Sequence, residues 1–314
     1  MKLGSLILNS HLIQGPLAGY SCAPFRELIW QYSTLGYCCT EMLSAKDLVT
    51  RKQQPKRYVW KSPKEGMLCF QLAGREPEIL AQAVQRAEEY GADLIDLNCG
   101  CPKIKIRSKG LGSKLLEEVQ LLETCVRAMV NAAQVPITVK IRLDSSSSKE
   151  STQEVAKRVE GAGASALIVH GRHWQDDYDV PCDLQSIKAI SEGLSIPVIA
   201  NGDVSCQESL EKTLTETQCP GVMVARATMG RPWLFKELTE PEFIKPSNKQ
   251  IGAMLLQHVQ GLIELENETV ALLQARSFAK YYGRSAGVNQ EFAEKTKQLH
   301  NFSQLKRLVS SYFL

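Results

Sequence analysis

The sequence predicts an α/β protein built as a (β/α)8 barrel of the TIM type with a helical bundle at its C-terminus. Three observations carry this. Eight short runs rich in β-branched and apolar residues recur along the chain, and amphipathic stretches alternate with them; beyond residue 240 the strand-like runs stop while helical periodicity continues. At 314 residues the chain suits a barrel of about 250 residues with a small appendage.

Taken in order, the expected strands are 12–17, 36–42, 67–72, 94–98, 137–143, 166–170, 197–201 and 221–225. Between them, 24–32, 77–90, 121–133, 152–162, 184–192 and 208–217 place apolar residues at three- and four-residue intervals, the mark of helices with one buried face. Eight alternations favour a closed barrel over an open sheet. The run Glu240-Pro241-Glu242-Phe243-Ile244-Lys245-Pro246-Ser247-Asn248 has the prolines and polar residues of a linker. Helices are expected after it at 250–267, 269–284, 290–301 and 303–312, broken at Gly283 and at Gly287-Val288-Asn289.

Composition narrows the class. Hydrophobic content of 44% with 23% charged residues is ordinary for a folded globular protein. No segment approaches the roughly 18 uninterrupted apolar residues of a membrane span, and the start of the chain lacks the pattern of a secretory leader, so a cytoplasmic protein is expected. Most of the ten cysteines lie in apolar runs such as Cys38-Cys39 and Cys69, where a reduced thiol acts as a small hydrophobe. None forms a C-x-x-C pair, and no metal is implied. The net charge of +3 says little alone, but from residue 243 onward nine basic residues face five acidic ones. Such an excess suits either a polyanion or a solvated helical surface. No coiled-coil pattern appears, and a monomer is expected.

Loops at the C-terminal ends of barrel strands converge on one site. Those ends read Pro16-Leu17-Ala18-Gly19, Glu41-Met42, Gln71-Leu72-Ala73-Gly74, Asn98-Cys99-Gly100-Cys101-Pro102, Lys140-Ile141-Arg142, His170-Gly171-Arg172, Asn201-Gly202-Asp203 and Ala225-Arg226. A purely structural barrel has no need of such groups along one rim, so they mark a ligand site. Gly202 and Ala225-Arg226 follow the last two strands, where barrels commonly hold a phosphate. The Gln71 amide suits the donor and acceptor edge of a flat heterocycle such as an isoalloxazine. A cation at Lys140 would favour the anionic form of a reduced flavin. His170 and Arg172, two apart on one strand, share a face.

The segment Asp96-Leu97-Asn98-Cys99-Gly100-Cys101-Pro102, followed by Lys109-Gly110-Leu111-Gly112-Ser113, resembles the signature of the tRNA-dihydrouridine synthases. The resemblance runs through almost the whole chain: Pro24-Phe25-Arg26, Thr138-Val139-Lys140-Ile141-Arg142-Leu143, Val169-His170-Gly171-Arg172, Ile196-Pro197-Val198-Ile199-Ala200-Asn201-Gly202-Asp203 and Pro232-Trp233-Leu234-Phe235. The tail, with Ala279-Lys280-Tyr281-Tyr282, looks most like the bacterial B-type branch.

The resemblance implies an FMN-dependent enzyme driven by NADPH that reduces the C5=C6 bond of uridine in tRNA. Hydride would pass from reduced FMN to C6 and a proton from Cys101 to C5. An ordinary thiol, with a pKa of about 8.5, is mostly protonated at neutral pH and can still protonate a carbanion-like centre. Carried over position by position, Pro16, Leu17, Ala18, Gln71, Lys140, His170, Asn201, Gly202, Asp203, Ala225 and Arg226 would bind FMN. Asn98, Arg142 and Arg172 would meet the substrate nucleotide, which must leave its stack to reach the barrel. Residues 1–242 would form the catalytic barrel and 243–314 a helical tRNA-binding domain. Strand alternation puts Cys99 and Cys101 on the same side and does not choose between them. Asp176 and Asp177, after the sixth strand, are unfavourable beside RNA phosphates, so RNA is expected to pass elsewhere. The rival enzymatic reading is a flavin barrel acting on free pyrimidines, of the dihydroorotate or dihydropyrimidine dehydrogenase kind; the non-enzymatic one is a tRNA-binding protein that has lost reductase activity.

Overall fold

The computed structural model describes residues 1–143, 151–288 and 290–314. It opens with a hairpin that the sequence did not announce: β1 (Lys2–Leu3) pairs antiparallel with β2 (Leu6–Ile7) through a turn in which Gly4 takes a φ of +55°. Leu3, wholly buried, and Leu8 close the floor of the barrel against Ile13, Cys69, Leu94, Ala166, Ile199 and Met223.

All eight expected barrel strands form. They are β3 (Leu12–Gln14), β4 (Tyr37–Cys39), β6 (Leu68–Ala73), β7 (Leu94–Cys99), β8 (Ile137–Leu143), β9 (Ala166–His173), β10 (Val198–Asn201) and β11 (Gly221–Val224). Each is parallel to its neighbours, in that order around the ring, and β11 closes onto β3. The short β5 (Leu43–Ser44) continues the line of β4 along β6. Strands buried on both faces read as near-continuous apolar runs, which is why composition found them.

Helices α1 (Ala23–Tyr32), α2 (Ala45–Thr50), α3 (Lys56–Val59), α4 (Pro77–Glu89), α5 (Ile104–Arg107), α6 (Val119–Ala132), α7 (Thr152–Gly161), α8 (Leu184–Glu192), α9 (Gln207–Thr217) and α10 (Leu234–Thr239) follow the strands. Outward strand residues such as Phe70, Ile95, Leu97, Val139, Ile141, Leu167 and Val169 pack with the helices' apolar faces into one large core. The short α2, α3, α5 and α10 have too few turns to show a period and escaped sequence reading.

The C-terminal region is helical: α11 (Asn248–Leu265), α12 (Glu268–Ser285), α13 (Gln290–Thr296) and α14 (Phe302–Tyr312). Two expectations are corrected. Gly283 does not break α12; a side chain there would press on Phe292, its Cβ 3.1 Å from that ring, so the glycine admits a neighbouring helix. The third tail helix stops at Thr296 rather than 301, because Asn301 instead caps α14 by accepting the N–H of Gln304. The break expected at Gly287-Val288-Asn289 falls between α12 and α13, with Gly287 at a φ of +69°, and Asn289 itself lies outside the described residues. Helix α11 rests on α1, with Gly261 placed against Pro24. Between them His258 is sealed in, stacked on Phe278 with ring centres 4.2 Å apart and 3.1 Å from the Tyr282 hydroxyl. Among the described residues no helix is long and apolar enough to cross a membrane.

Candidate active site

As the strands climb from the floor, their inward residues change from apolar to polar: Cys69 gives way to Gln71, Leu94 to Asp96 and Asn98, Ile168 to His170 and Arg172, Ile199 to Asn201. Strand register sets Gln71 beside Asp96, Asn98 beside Lys140, Arg142 beside His170, and Asn201 beside His170. One end of the barrel thus gathers nearly every candidate residue read from the strand ends.

Asp96, 2% exposed, organises one side. Its carboxylate accepts from Gln71 Nε2 and from Thr138 Oγ1, each at 2.8 Å. A carboxylate only accepts, so Gln71 must turn its NH2 downward and its oxygen upward, where it takes a hydrogen bond from Asn98 Nδ2 at 2.9 Å. That fixes Asn98 in turn: its Oδ1 accepts the backbone N–H of Cys101 at 3.0 Å and lies 3.4 Å from that of Gly100. Burial pushes the Asp96 carboxyl up to about 6 against the opposing pull of Gln71, Thr138 and Lys140. From the other side Arg142 Nε donates to the carbonyl of Gly100 at 2.9 Å, while Ser113 holds the carbonyl of Cys101 through both its N–H and its hydroxyl.

The two cysteines left open by the sequence part company here. Cys99 is the last residue of β7 and points outward into the helix layer, fully buried, with its thiol pushed well above the ordinary range by desolvation. Cys101 lies past the strand end, where alternation no longer applies, and is half-buried at the mouth.

Lys140 reaches past β9 to Asn201 Oδ1 at 2.7 Å, and Asn201 Nδ2 donates to the carbonyl of Met223. Removal from water and the nearby Arg142 guanidinium lower the Lys140 ammonium to about 8. His170 is held neutral by burial and by the cations of Lys140, Arg142, Arg172 and Arg226. Arg172 is fully engaged: it donates to the carbonyls of Val180 and Tyr178 and to Asp203 Oδ2 at 2.6 Å, and its Nη1 lies 3.3 Å from His170. It ties down the loop after β9, which also stacks Trp174 over Arg107 and Tyr178 over Arg226, each 3.5 Å from cation to ring centre. Arg142 is also committed, giving its Nη1 to the carbonyl of His173.

The loops after β10 and β11 complete the rim. Gly202 has a φ of +139°, and a Cβ there would sit 2.5 Å from the Cys182 sulfur, so only glycine fits. Asp203, at a φ of +53°, links Arg172, Arg226 (3.6 Å) and the N–H of Cys182. Across the ring the loop after β3 is fixed where Gly19 N–H meets Glu41 Oε2 at 2.5 Å, and Arg57 grips the other oxygen of Glu41. The half-buried Pro16 and Leu17 and exposed Ala18 form the lip.

Amides of fixed orientation, a cation partly stripped of water and an exposed arginine at the far edge form a donor set that fits a flat heterocycle carrying a phosphate. Among the described residues no group of three or more metal-ligating side chains is assembled. The eight-stranded parallel ring with its helices places the chain among the TIM-barrel proteins. Solved structures share the fold: an old yellow enzyme homologue from Zymomonas mobilis aligns with a TM-score of 0.60 at 11% identity, covering 79% of this chain and 93% of that one. A histamine dehydrogenase from Rhizobium gives the same TM-score at 14% identity over 83% of this chain and 50% of its own.

The sequence model described as Dihydrouridine synthase (Dus) matches residues 13–312, and the chain belongs to the dihydrouridine synthase family. Among its relatives, the tRNA-dihydrouridine synthase B of Vibrio parahaemolyticus is 34% identical, covering 93% of this chain and 92% of that protein. The protein of the same name from Escherichia coli is 30% identical over 100% and 99%. The enzyme class read from the sequence is therefore established.

Sequence reading missed Asp96 as a site residue, although an acid two positions before Asn98 on a strand must share its inward face. It also missed Glu41–Arg57 and the two stacked arginines, which no spacing signals because their partners come from distant loops.

Proposed function

We propose that this protein reduces uridine in tRNA to 5,6-dihydrouridine, using FMN held at the barrel mouth and NADPH as the electron source. FMN, when bound, supplies the hydride to C6 and is reloaded by NADPH. Gln71, Lys140, His170 and Asn201 would hold the ring, and Gly202, Asp203, Ala225 and Arg226 the phosphate end, with Pro16, Leu17 and Ala18 lining the lip. Cys101 would give its proton to C5 of the uridine, and its thiolate would be reprotonated from solvent. Asn98 presents the substrate base to both. Arg142 and Arg172 serve the nucleotide through the segments they brace, the Cys101 turn and the loop after β9. Residues 243–314 add contacts to the body of the tRNA.

The observation that supports this best is the half-buried Cys101, placed through Asn98 and Gln71 on the buried Asp96 carboxylate, with Lys140 in register beside Asn98 on the neighbouring strand. A mere scaffold has no use for that chain of polar groups in its interior. The test is direct: purified protein should be yellow, NADPH should bleach it, and an unmodified tRNA transcript should then gain dihydrouridine. Colourless protein that takes up no FMN would defeat the proposal.

A further inference from the structure

The segment 51–64 contains Arg51, Lys52, Lys56, Arg57, Lys61 and Lys64 and no acidic residue. It has little regular structure beyond α3, yet it is pinned from below. Arg57 is 6% exposed and donates to Glu41, while Arg26, 1% exposed, pairs with Glu65 at 2.5 Å and donates to the carbonyl of Trp60. The Gln54 amide also reaches back to the carbonyl of Asp47. Over this base, side chains alternate: Arg57 and Val59 point in, while Lys56, Tyr58 and Trp60 point out, the two rings 37% and 43% exposed. Arg51, Lys52 and Lys64 are exposed as well; Arg51 lies 3.5 Å from Asp47 and Lys64 3.9 Å from Glu27, and Lys61 pairs with Asp93 at 2.5 Å.

The ring order makes the placement meaningful. β4 and β9 stand on opposite sides of the barrel. The loop after β9 exposes Asp177 and Asp179, with Asp176 half-buried beside them, whereas the cationic segment joins α2 to β6, tied to the rim where Arg57 meets Glu41 and to the opposite end of the barrel where Lys61 meets Gly91 and Asp93, and packs against α11 of the helical region. The two sides of the barrel are therefore electrically unequal, the loop after β9 repelling phosphate and the flank beneath β4 attracting it. Cations interleaved with exposed aromatic rings suit single-stranded nucleotides, whose bases can stack on the rings while the phosphates meet the lysines.

We infer that Arg51–Lys64 is a preformed RNA-docking surface that takes unpaired nucleotides of the substrate beside the barrel mouth. This rests on the reading that the substrate is tRNA. Two variants of the full-length flavin-loaded protein test it, Lys52→Ala/Lys56→Ala/Lys64→Ala and Trp60→Ala, with thermal melting and visible absorbance as fold controls. Binding of an unmodified tRNA transcript is measured across a salt series. The triple variant should bind at least about tenfold more weakly, with the slope of log affinity against log salt reduced by about two. Trp60→Ala should weaken binding without changing that slope. Native protein that binds tRNA while both variants bind it equally well overturns the docking surface and leaves the functional proposal standing. Native protein that binds no tRNA defeats the functional proposal itself. If it then binds vesicles containing phosphatidylserine, and the variants lose this, the surface belongs to a membrane and not to RNA.

Discussion

Asn98 Oδ1 accepts the backbone N–H of Cys101 at 3.0 Å, while Cys99, between them in sequence, is buried on the opposite side of the strand among the helices. Positions 98, 99 and 101 of the motif are thus divided between site and core.

From this division, Cys101→Ala should keep its flavin and its NADPH-driven flavin reduction but form no dihydrouridine. Cys99→Ala should retain product formation and lose about 1 kcal/mol of stability to the small cavity left behind. Single-turnover product assays alongside denaturant melts distinguish them; loss of product in Cys99→Ala alone would reverse the assignment.

Arg172 supports the loop after β9 with a side chain that is 1% exposed, while Asp203, its partner, is 40% exposed. Arg172→Met should therefore cost about 2–3 kcal/mol rather than the full cost of breaking a wholly buried pair. Limited proteolysis should show cleavage moving into residues 174–182. An unchanged digestion pattern would mean that the two stacked arginines hold the loop unaided.

Lys140 titrates near 8 in the folded protein against an ordinary value of 10.5. Between those values the unfolded chain binds the extra proton, so the stability of flavin-free protein should rise as pH climbs through this window. Lys140→Met should abolish that rise, stabilise the flavin-free protein at neutral pH by on the order of 2 kcal/mol, and weaken FMN binding. Parallel urea curves at pH 7 and 10 would show it; identical pH slopes in the two proteins would argue against a desolvated ammonium.

His258 is a depressed base of a structural kind, lowered to about 3 by burial from an ordinary 6.5. The unfolded chain takes up a proton as pH falls below 6.5 while the folded one does not, so stability drains away on acidification. By pH 4.5 the loss should be about 2–3 kcal/mol, and His258→Phe, which can keep the stack on Phe278, should not show it. Melting of both proteins at pH 7 and 4.5 provides the check.

Much of this was legible from the chain alone. Apolar runs at regular spacing named all eight barrel strands because a parallel strand buried on both faces admits little else, and polar residues closing those runs named the rim. Period-two alternation works only while the strand lasts. At Gly100 the chain turns, so only the following Pro102 favoured Cys101 over Cys99, and it is the folded loop, held by Asn98, Arg142 and Ser113, that sets Cys101 past the strand end while Cys99 stays in the helix layer. Arg142 and Arg172 read as residues that meet the substrate nucleotide, and no sequence signal showed that they also donate to carbonyls of neighbouring loops.

The sequence by itself determined the barrel, the helical tail and the family, since each is written in periodicity or in contiguous motifs. Tertiary structure decided which thiol is sealed in the helix layer, which arginines brace loops, and which flank of the barrel is cationic. Those properties arise only when ring closure sets the loop after β4 opposite the loop after β9 and carbonyls from distant segments meet the guanidinium groups.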